Sequence, residues 1–277
     1  MTYERQVPGD LDYQLCQYGR SRIRFRGPRA PERGPYLAFL GADETFGRFV
    51  PEPYPELIAR DLDVACVNLA VPHAGLDLYL NDPAALQVAA SAELTVLQVV
   101  GAQNMSNRFY RVHPRHNDRF LRASDVLQRL YHEVDFTEFH FITHMLSALH
   151  ATCQDRFAMV QTELTAAWRA RIVSLIDLVG PPVVLLWIAP HSPAEAATNV
   201  AGAGPRFVSK DMVDHARQEV AGFVETVVSH EITGMGTEGM VYPAHKEGLA
   251  QVCPGPAVHA LVAADLAPVI GQCWARH

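Results

Sequence analysis

Asp43 and Glu44 stand side by side, separated only by Gly41-Ala42 from the apolar run 36–40. A carboxylate in such a turn can attack an electrophile, forming an aspartyl ester that a second base must then release, or it can act as a general base. Two adjacent carboxylates can also hold a divalent cation for hydrolysis. A structural use competes with these, because aspartate at a helix start accepts hydrogen bonds from the first turn. Farther along, Arg108, Arg111, Arg115, Arg119 and Arg122 crowd one stretch with His113 and His116. Guanidinium groups facing a crevice would hold phosphate, sulfate or carboxylate through paired charged hydrogen bonds, whereas on a solvated loop they form surface salt bridges. His140 and His144 have the i, i+4 spacing of histidines sharing a metal on one helix face, with Glu138 nearby. Spacing places no third ligand and there is no HExxH, so the expectation is a histidine pair with no metal. No organic cofactor motif is present.

The elements that must position these groups are legible as apolar runs bounded by turn residues, at 36–40, 64–69, 94–100, 183–189 and 223–228. Continuous runs of this length suit parallel strands buried on both faces. Intervals of about 25–30 residues between the first three leave room for right-handed crossovers through a helix. The expected fold is therefore α/β, a three-layer, doubly wound sheet of about five parallel strands. Residues 1–34, rich in Arg, Gly and Pro, read as an N-terminal arm, with an edge strand as the other reading of 20–26. Residues 35–277 read as a single domain with a helical insertion over 102–180. Within it, Phe157, Val160, Leu164, Trp168, Ile172, Leu175 and Val179 recur at helical spacing. Asp135-Phe-Thr-Glu138 has the form of a capping box opening a helix through Leu149. A last helix runs from about 258 to 270, and 201–205, glycine-rich, reads as a loop serving as a lid.

Composition narrows the function classes. The net charge of −7 gives no general reason to expect nucleic-acid binding. Five cysteines, an odd count with no CxxC, fit reduced thiols. The first twenty residues are charged and lack an apolar signal segment, so the chain is expected in the cytoplasm. No apolar run approaches the roughly 18–20 residues of a membrane span. A small-molecule or anionic substrate is the expected partner, and a homo-oligomer is allowed.

Four segments carry a family resemblance. Leu40-Gly41-Ala42-Asp43-Glu44-Thr45-Phe46-Gly47 resembles the first block of SGNH/GDSL hydrolases, Gly-Asp-Ser-x-Thr-x-Gly, with Gly41, Thr45 and Gly47 matching and Asp43 where that family has its serine. Val67-Asn68-Leu69-Ala70-Val71-Pro72-His73-Ala74-Gly75 is similar to the second block, which implies Gly75 as an oxyanion donor. His73 beside it lines the pocket or is a turn histidine. Val99-Val100-Gly101-Ala102-Gln103-Asn104 is like the third block, which implies an amide donor at Gln103 or Asn104. For the catalytic histidine, His259 in Pro254-Gly255-Pro256-Ala257-Val258-His259 and His245 in Tyr242-Pro-Ala-His245 compete, and neither segment supplies the acid. The resemblance, also to an uncharacterised bacterial SGNH-like family, implies a hydrolase or transferase for an ester or other activated acyl or anionic group. Asp43 would carry the chemistry, His245 or His259 the acid/base work, and Arg108, Arg111 and Arg115 an anionic part of the substrate. The alternative is a catalytically inactive ligand-binding or scaffold protein that kept the crevice.

Overall fold

The computed structural model describes residues 9–30, 34–180, 182–195 and 204–274. The first half runs β1 (Tyr36–Leu40), α1 (Asp43–Phe46), α2 (Tyr54–Leu62), β2 (Ala65–Asn68), α3 (Leu76–Leu80), α4 (Pro83–Ala90) and β3 (Leu94–Gln98). Next come β4 (Tyr110–His113), β5 (His116–Ala123), α5 (Asp125–Leu130), α6 (Ile142–Thr152) and α7 (Gln154–Val179). The chain closes with β6 (Val183–Ala189), α8 (Lys210–Arg217), β7 (Gly222–Val227), α9 (His230–Gly234), α10 (Glu247–Ala250) and α11 (Pro256–Trp274).

Strands β1, β2, β3, β6 and β7 form one sheet in the order β2-β1-β3-β6-β7, and every neighbouring pair is parallel. The apolar runs demand this, because the three central strands β1, β3 and β6 are buried along their whole length on both faces. On one face Leu37, Phe39, Val96 and Leu186 meet Tyr54 and Ile58 of α2 and Val262 and Leu266 of α11. On the other, Ala38, Leu40, Leu97 and Leu185 meet α3, α4, α7 and α8, and all seven residues of the expected helical stripe in α7 are buried there. The fold is the expected three-layer α/β architecture. After β1 the chain first adds β2 on one side and then β3 on the other, so the order reverses at β1 and β3. A crevice opens outside the carboxyl ends of strands at such a reversal.

Three local expectations are corrected. The insertion is not wholly helical: it opens with an antiparallel hairpin, β4 and β5, because Tyr110 and Val112 are buried while Arg111 between them is exposed. That is the period-two alternation of a strand lying on a core. Asp135 does accept a hydrogen bond from Thr137, but the turn it caps ends at Glu138, and α6 starts afresh at Ile142. The last helix is longer than expected, and α11 is long and apolar enough to cross a membrane. Its packing is that of a core helix, with Val258, Val262, Leu266 and Ile270 buried in the sheet's second layer. Most of the expected lid, 201–203, lies outside the described residues.

Of the N-terminal arm, residues 9–30 pack tightly. Tyr18 and Phe25 are fully buried, and Cys16 bridges Phe25 in antiparallel fashion. Arg26 is only 4% exposed and spends all five guanidinium N–H groups. They go to the carbonyls of Phe46, Gly47, Val50 and Pro51 and to the Glu56 carboxylate. One buried cation thereby holds the loop that leaves α1.

Candidate active site at the reversal of strand order

The turn between β1 and α1 is built around Gln98, the last residue of β3. Its Oε1 accepts from the Ala42 backbone N–H at 2.9 Å and from Thr45 Oγ1 at 2.5 Å, and its Nε2 donates to Glu44 Oε2 at 2.7 Å. Only glycine fits at 41, since a Cβ there would lie 2.1 Å from Thr45 Oγ1 and 2.3 Å from Gln98 Oε1. The Tyr79 hydroxyl accepts from the Gly41 N–H and donates back to the Gly41 carbonyl, which pins the turn from below.

Asp43 opens α1, but its carboxylate accepts no capping hydrogen bond within that helix. Its carboxylate instead reaches across to the loop after β2. Oδ2 accepts from His73 Nδ1 at 3.0 Å and from the His73 backbone N–H at 2.8 Å, while Arg48 lies 3.4 Å from Oδ1. His73 sits at φ +60°, in the left-handed region that a side chain adopts at a cost. Three hydrogen bonds over-determine that conformation: the two to Asp43, and one from Asn104 Nδ2 to the His73 carbonyl at 3.1 Å.

Asp43, Glu44, His73, Gln98 and Asn104 line a cavity of about 130 Å³ together with Gln103 and Arg206. The Gln103 Oε1 is buried against it with no hydrogen-bond partner among the described residues. Burial alone would raise the Asp43 carboxyl, but the hydrogen bond and charge of His73, then the charge of Arg48, outweigh it and hold Asp43 below the usual carboxylate range. Glu44 moves the other way, pushed up by burial and then by the Asp43 charge, against the opposing hydrogen bond from Gln98. His73 is raised above an ordinary histidine by its hydrogen bond to Asp43, against its own partial burial. Two neighbouring carboxyls with oppositely shifted affinities, one paired to an imidazole, are the raw material of general acid and base catalysis.

The structure brings together Asp43, His73, Gln103 and Asn104 of the sequence candidates and leaves the rest elsewhere. Gly75 cannot serve an oxyanion with its N–H, which donates at 2.9 Å to Asn117 Oδ1 from strand β5. Its glycine is explained by close approach instead, since a Cβ would lie 1.8 Å from the Asn104 carbonyl oxygen. His259 is turned inward: it is 1% exposed, its Nδ1 accepts from the Tyr54 N–H at 3.1 Å, and it makes no hydrogen bond to Asp43. Burial, and secondarily the Arg26 charge, depress it to about 3. His245 is exposed on a single 3-10 turn, outside the cavity lining. Arg108 pairs with Glu163, and Arg111 and Arg115 are exposed on the hairpin, so none of the three lines the cavity. The arginine that lines the cavity is Arg206, and Arg48 reaches only the Asp43 carboxylate.

Sequence reasoning missed Gln98, hidden inside an apolar run, and Arg48, Asn117, Arg206 and Arg26. One signal was available for Gln98: it is the single amide in the run 94–100, whose other polar residue is Thr95. Among the described residues no group of three His, Cys, Asp or Glu side chains has metal-binding geometry.

A family model described as "Domain of unknown function (DUF6473)" matches residues 1–274. No curated protein matches the sequence. Among solved structures, similarity is found to a catalytic mutant of Axe2, an acetylxylan esterase from Geobacillus stearothermophilus, with 15% identity over 87% of this chain and 96% of that one and a TM-score of 0.43. A carbohydrate esterase family 2 enzyme with a carbohydrate-binding domain from Corynascus thermopiles (Myceliophthora fergusii) shares 14% identity over 91% of this chain and 68% of its own, with a TM-score of 0.43. The lipase Lip_vut3 from a goat rumen metagenome shares 12% identity over 85% and 97%, with a TM-score of 0.39.

Proposed function

This chain belongs to the DUF6473 family, and we propose that it is an SGNH-type hydrolase or transferase acting on a small ester or other activated acyl group. In this reading Asp43, in the position of the serine, orients a base rather than attacking the substrate. The observation that carries it is the 3.0 Å hydrogen bond between His73 Nδ1 and Asp43 Oδ2 on the cavity wall. A carboxylate holding Nδ1–H leaves Nε2 as the basic nitrogen, the division of labour that an aspartate and a histidine share wherever an imidazole must take a proton.

The reaction then needs only water as nucleophile. Nε2 of His73 takes a proton from a water whose oxygen bonds to the acyl carbon, and the carbonyl electrons move onto its oxygen. The Gln103 carboxamide, on the same wall, donates to that oxygen. As the carbon–oxygen bond to the leaving group breaks, Glu44, inclined by burial to keep its proton, passes it to the departing alkoxide. The proton on His73 returns to Glu44, and the sum is water plus ester giving acid plus alcohol.

A second reading, a non-catalytic ligand-binding or scaffold protein, is favoured by one observation: among the described residues no hydroxyl or thiol lines the cavity. Turnover of para-nitrophenyl acetate separates the two. The hydrolase reading expects wild-type turnover, with kcat reduced about 10²- to 10⁴-fold in both Asp43→Asn and His73→Ala. Activity gained only in Asp43→Ser supports the scaffold reading. Turnover unchanged by His73→Ala overturns the assignment of the base.

A further inference from the structure

The arginine-rich hairpin is left over once the cavity is described, and its geometry is unusual. Residues 108–125 hold five arginines and two aspartates, in a chain whose net charge is −7. Arg111 and Arg122 lie directly opposite each other across β4 and β5, both exposed. Like charges facing across an antiparallel pair repel. Neither has a carboxylate within ion-pair distance among the described residues, so nothing there offsets the repulsion. Register then passes from Arg111 opposite Arg122 to Val112 opposite Phe120, leaving Leu121 as the extra residue of a bulge. Leu121 is 54% exposed beside the arginines. Phe141, bridged to Arg119 through the backbone, is 47% exposed with the Arg119 guanidinium 5.6 Å over its ring. Meanwhile Tyr110, Val112, Phe120 and Ala123 are buried, which fixes the ribbon rigidly to the domain.

We infer that the outward face of this hairpin docks on an anionic lipid surface. Guanidinium groups bind phosphate oxygens in pairs, and an external anion between Arg111 and Arg122 turns their mutual repulsion into attraction. Apolar side chains among basic ones suit the boundary between headgroups and acyl chains. A nucleic-acid backbone would satisfy the arginines equally but would do nothing for Leu121. The hairpin is a local positive excess in a chain of net charge −7, so an anionic leaflet attracts this face against the overall charge of the protein. The inference is independent of any chemistry in the cavity.

The test is co-sedimentation of the full chain with vesicles of phosphatidylcholine alone and of phosphatidylcholine with phosphatidylserine. Binding is expected only with phosphatidylserine, and it should weaken as salt rises. Arg111→Glu with Arg122→Glu should lower the partition about tenfold or more, and Arg111→Gln with Arg122→Gln should lower it by less. Leu121→Ser should lower it while leaving the salt dependence in place. A thermal melt confirms that each variant is folded. Equal sedimentation with both vesicle types, an undiminished partition in both double variants, or retention on duplex DNA without retention on vesicles would overturn the inference.

Discussion

His73 and His259 are both joined to α1 by a short chain of hydrogen bonds, and they meet opposite fates. His73 bonds to Asp43 itself, at the mouth of the crevice, with 44% of its side chain exposed. His259 bonds to the Tyr54 backbone, and the Tyr54 hydroxyl shares a 2.8 Å hydrogen bond with Thr45 of α1, so it serves the other side of the same helix from deep inside. On the outer side a carboxylate accepts from the imidazole and favours its charged form. On the inner side the imidazole is fully buried, and a backbone N–H donates to it, which favours the neutral form. A histidine's role is therefore set by what the neighbouring element offers it, a carboxylate or a backbone N–H. Its distance along the chain from a recognisable turn does not set it.

The comparison breaks first if α1 is released, because both histidines depend on where that helix sits. Arg26→Met removes four guanidinium donors from the loop 46–51 and the fifth from Glu56. A buried carbonyl left without its donor costs about 1–3 kcal/mol, and Glu56, 39% exposed, adds little. Urea unfolding of Arg26→Met should show that loss, and a change below about 1 kcal/mol would mean the loop is held by other contacts.

Next in size is the share of the acid limb of stability that His259 contributes. Its folded affinity is depressed to about 3, so below roughly pH 6.5 the unfolded chain takes up a proton that the folded one refuses. Stability contributed by the neutral ring is complete above that pH and falls as pH drops toward 3, at up to about 1.4 kcal/mol per pH unit. His259→Asn keeps an acceptor for the Tyr54 N–H and cannot titrate in this range. Its unfolding free energy, lower overall because the side chain is smaller, should lack that slope, and parallel pH profiles for the two proteins would remove His259 as the cause.

The sheet could be read from sequence because its signal is collective. Five apolar runs, each demanding two covered faces, leave few alternatives to a parallel sheet, and the observed strands fall within a residue or two of them. Asp43 is singled out by the turn after the first apolar run and by the resemblance of residues 41–47 to a family block, and the reversal of strand order beside it comes only with the structure. Sequence reasoning failed where one residue's partner is distant in sequence. Gln98 sits in a run that reads as pure core, yet it organises the turn 54 residues earlier through Glu44. Arg26 reads as one of several arginines in a polar arm, and only burial shows that its donors are saturated. The hairpin was hidden by its charges, which drew attention away from the alternation of Tyr110, Arg111 and Val112.

The smallest effect tests the outer histidine most directly. With its folded affinity raised by Asp43, His73 favours folding fully below about pH 6.5, where the unfolded ring is also protonated, and the benefit is lost as pH rises through the folded value. Its slope is thus opposite in sign to that of His259, and it is weak because a ring 44% exposed is screened by solvent. Nuclear magnetic resonance titration of the His73 ring resolves it without relying on stability. The ring should titrate above an ordinary histidine in the wild type and fall back in Asp43→Asn, which keeps an oxygen acceptor but removes the charge. A His73 titration indifferent to Asp43→Asn would show that the two side chains touch without coupling, and the base assigned to the crevice would lose its orienting partner.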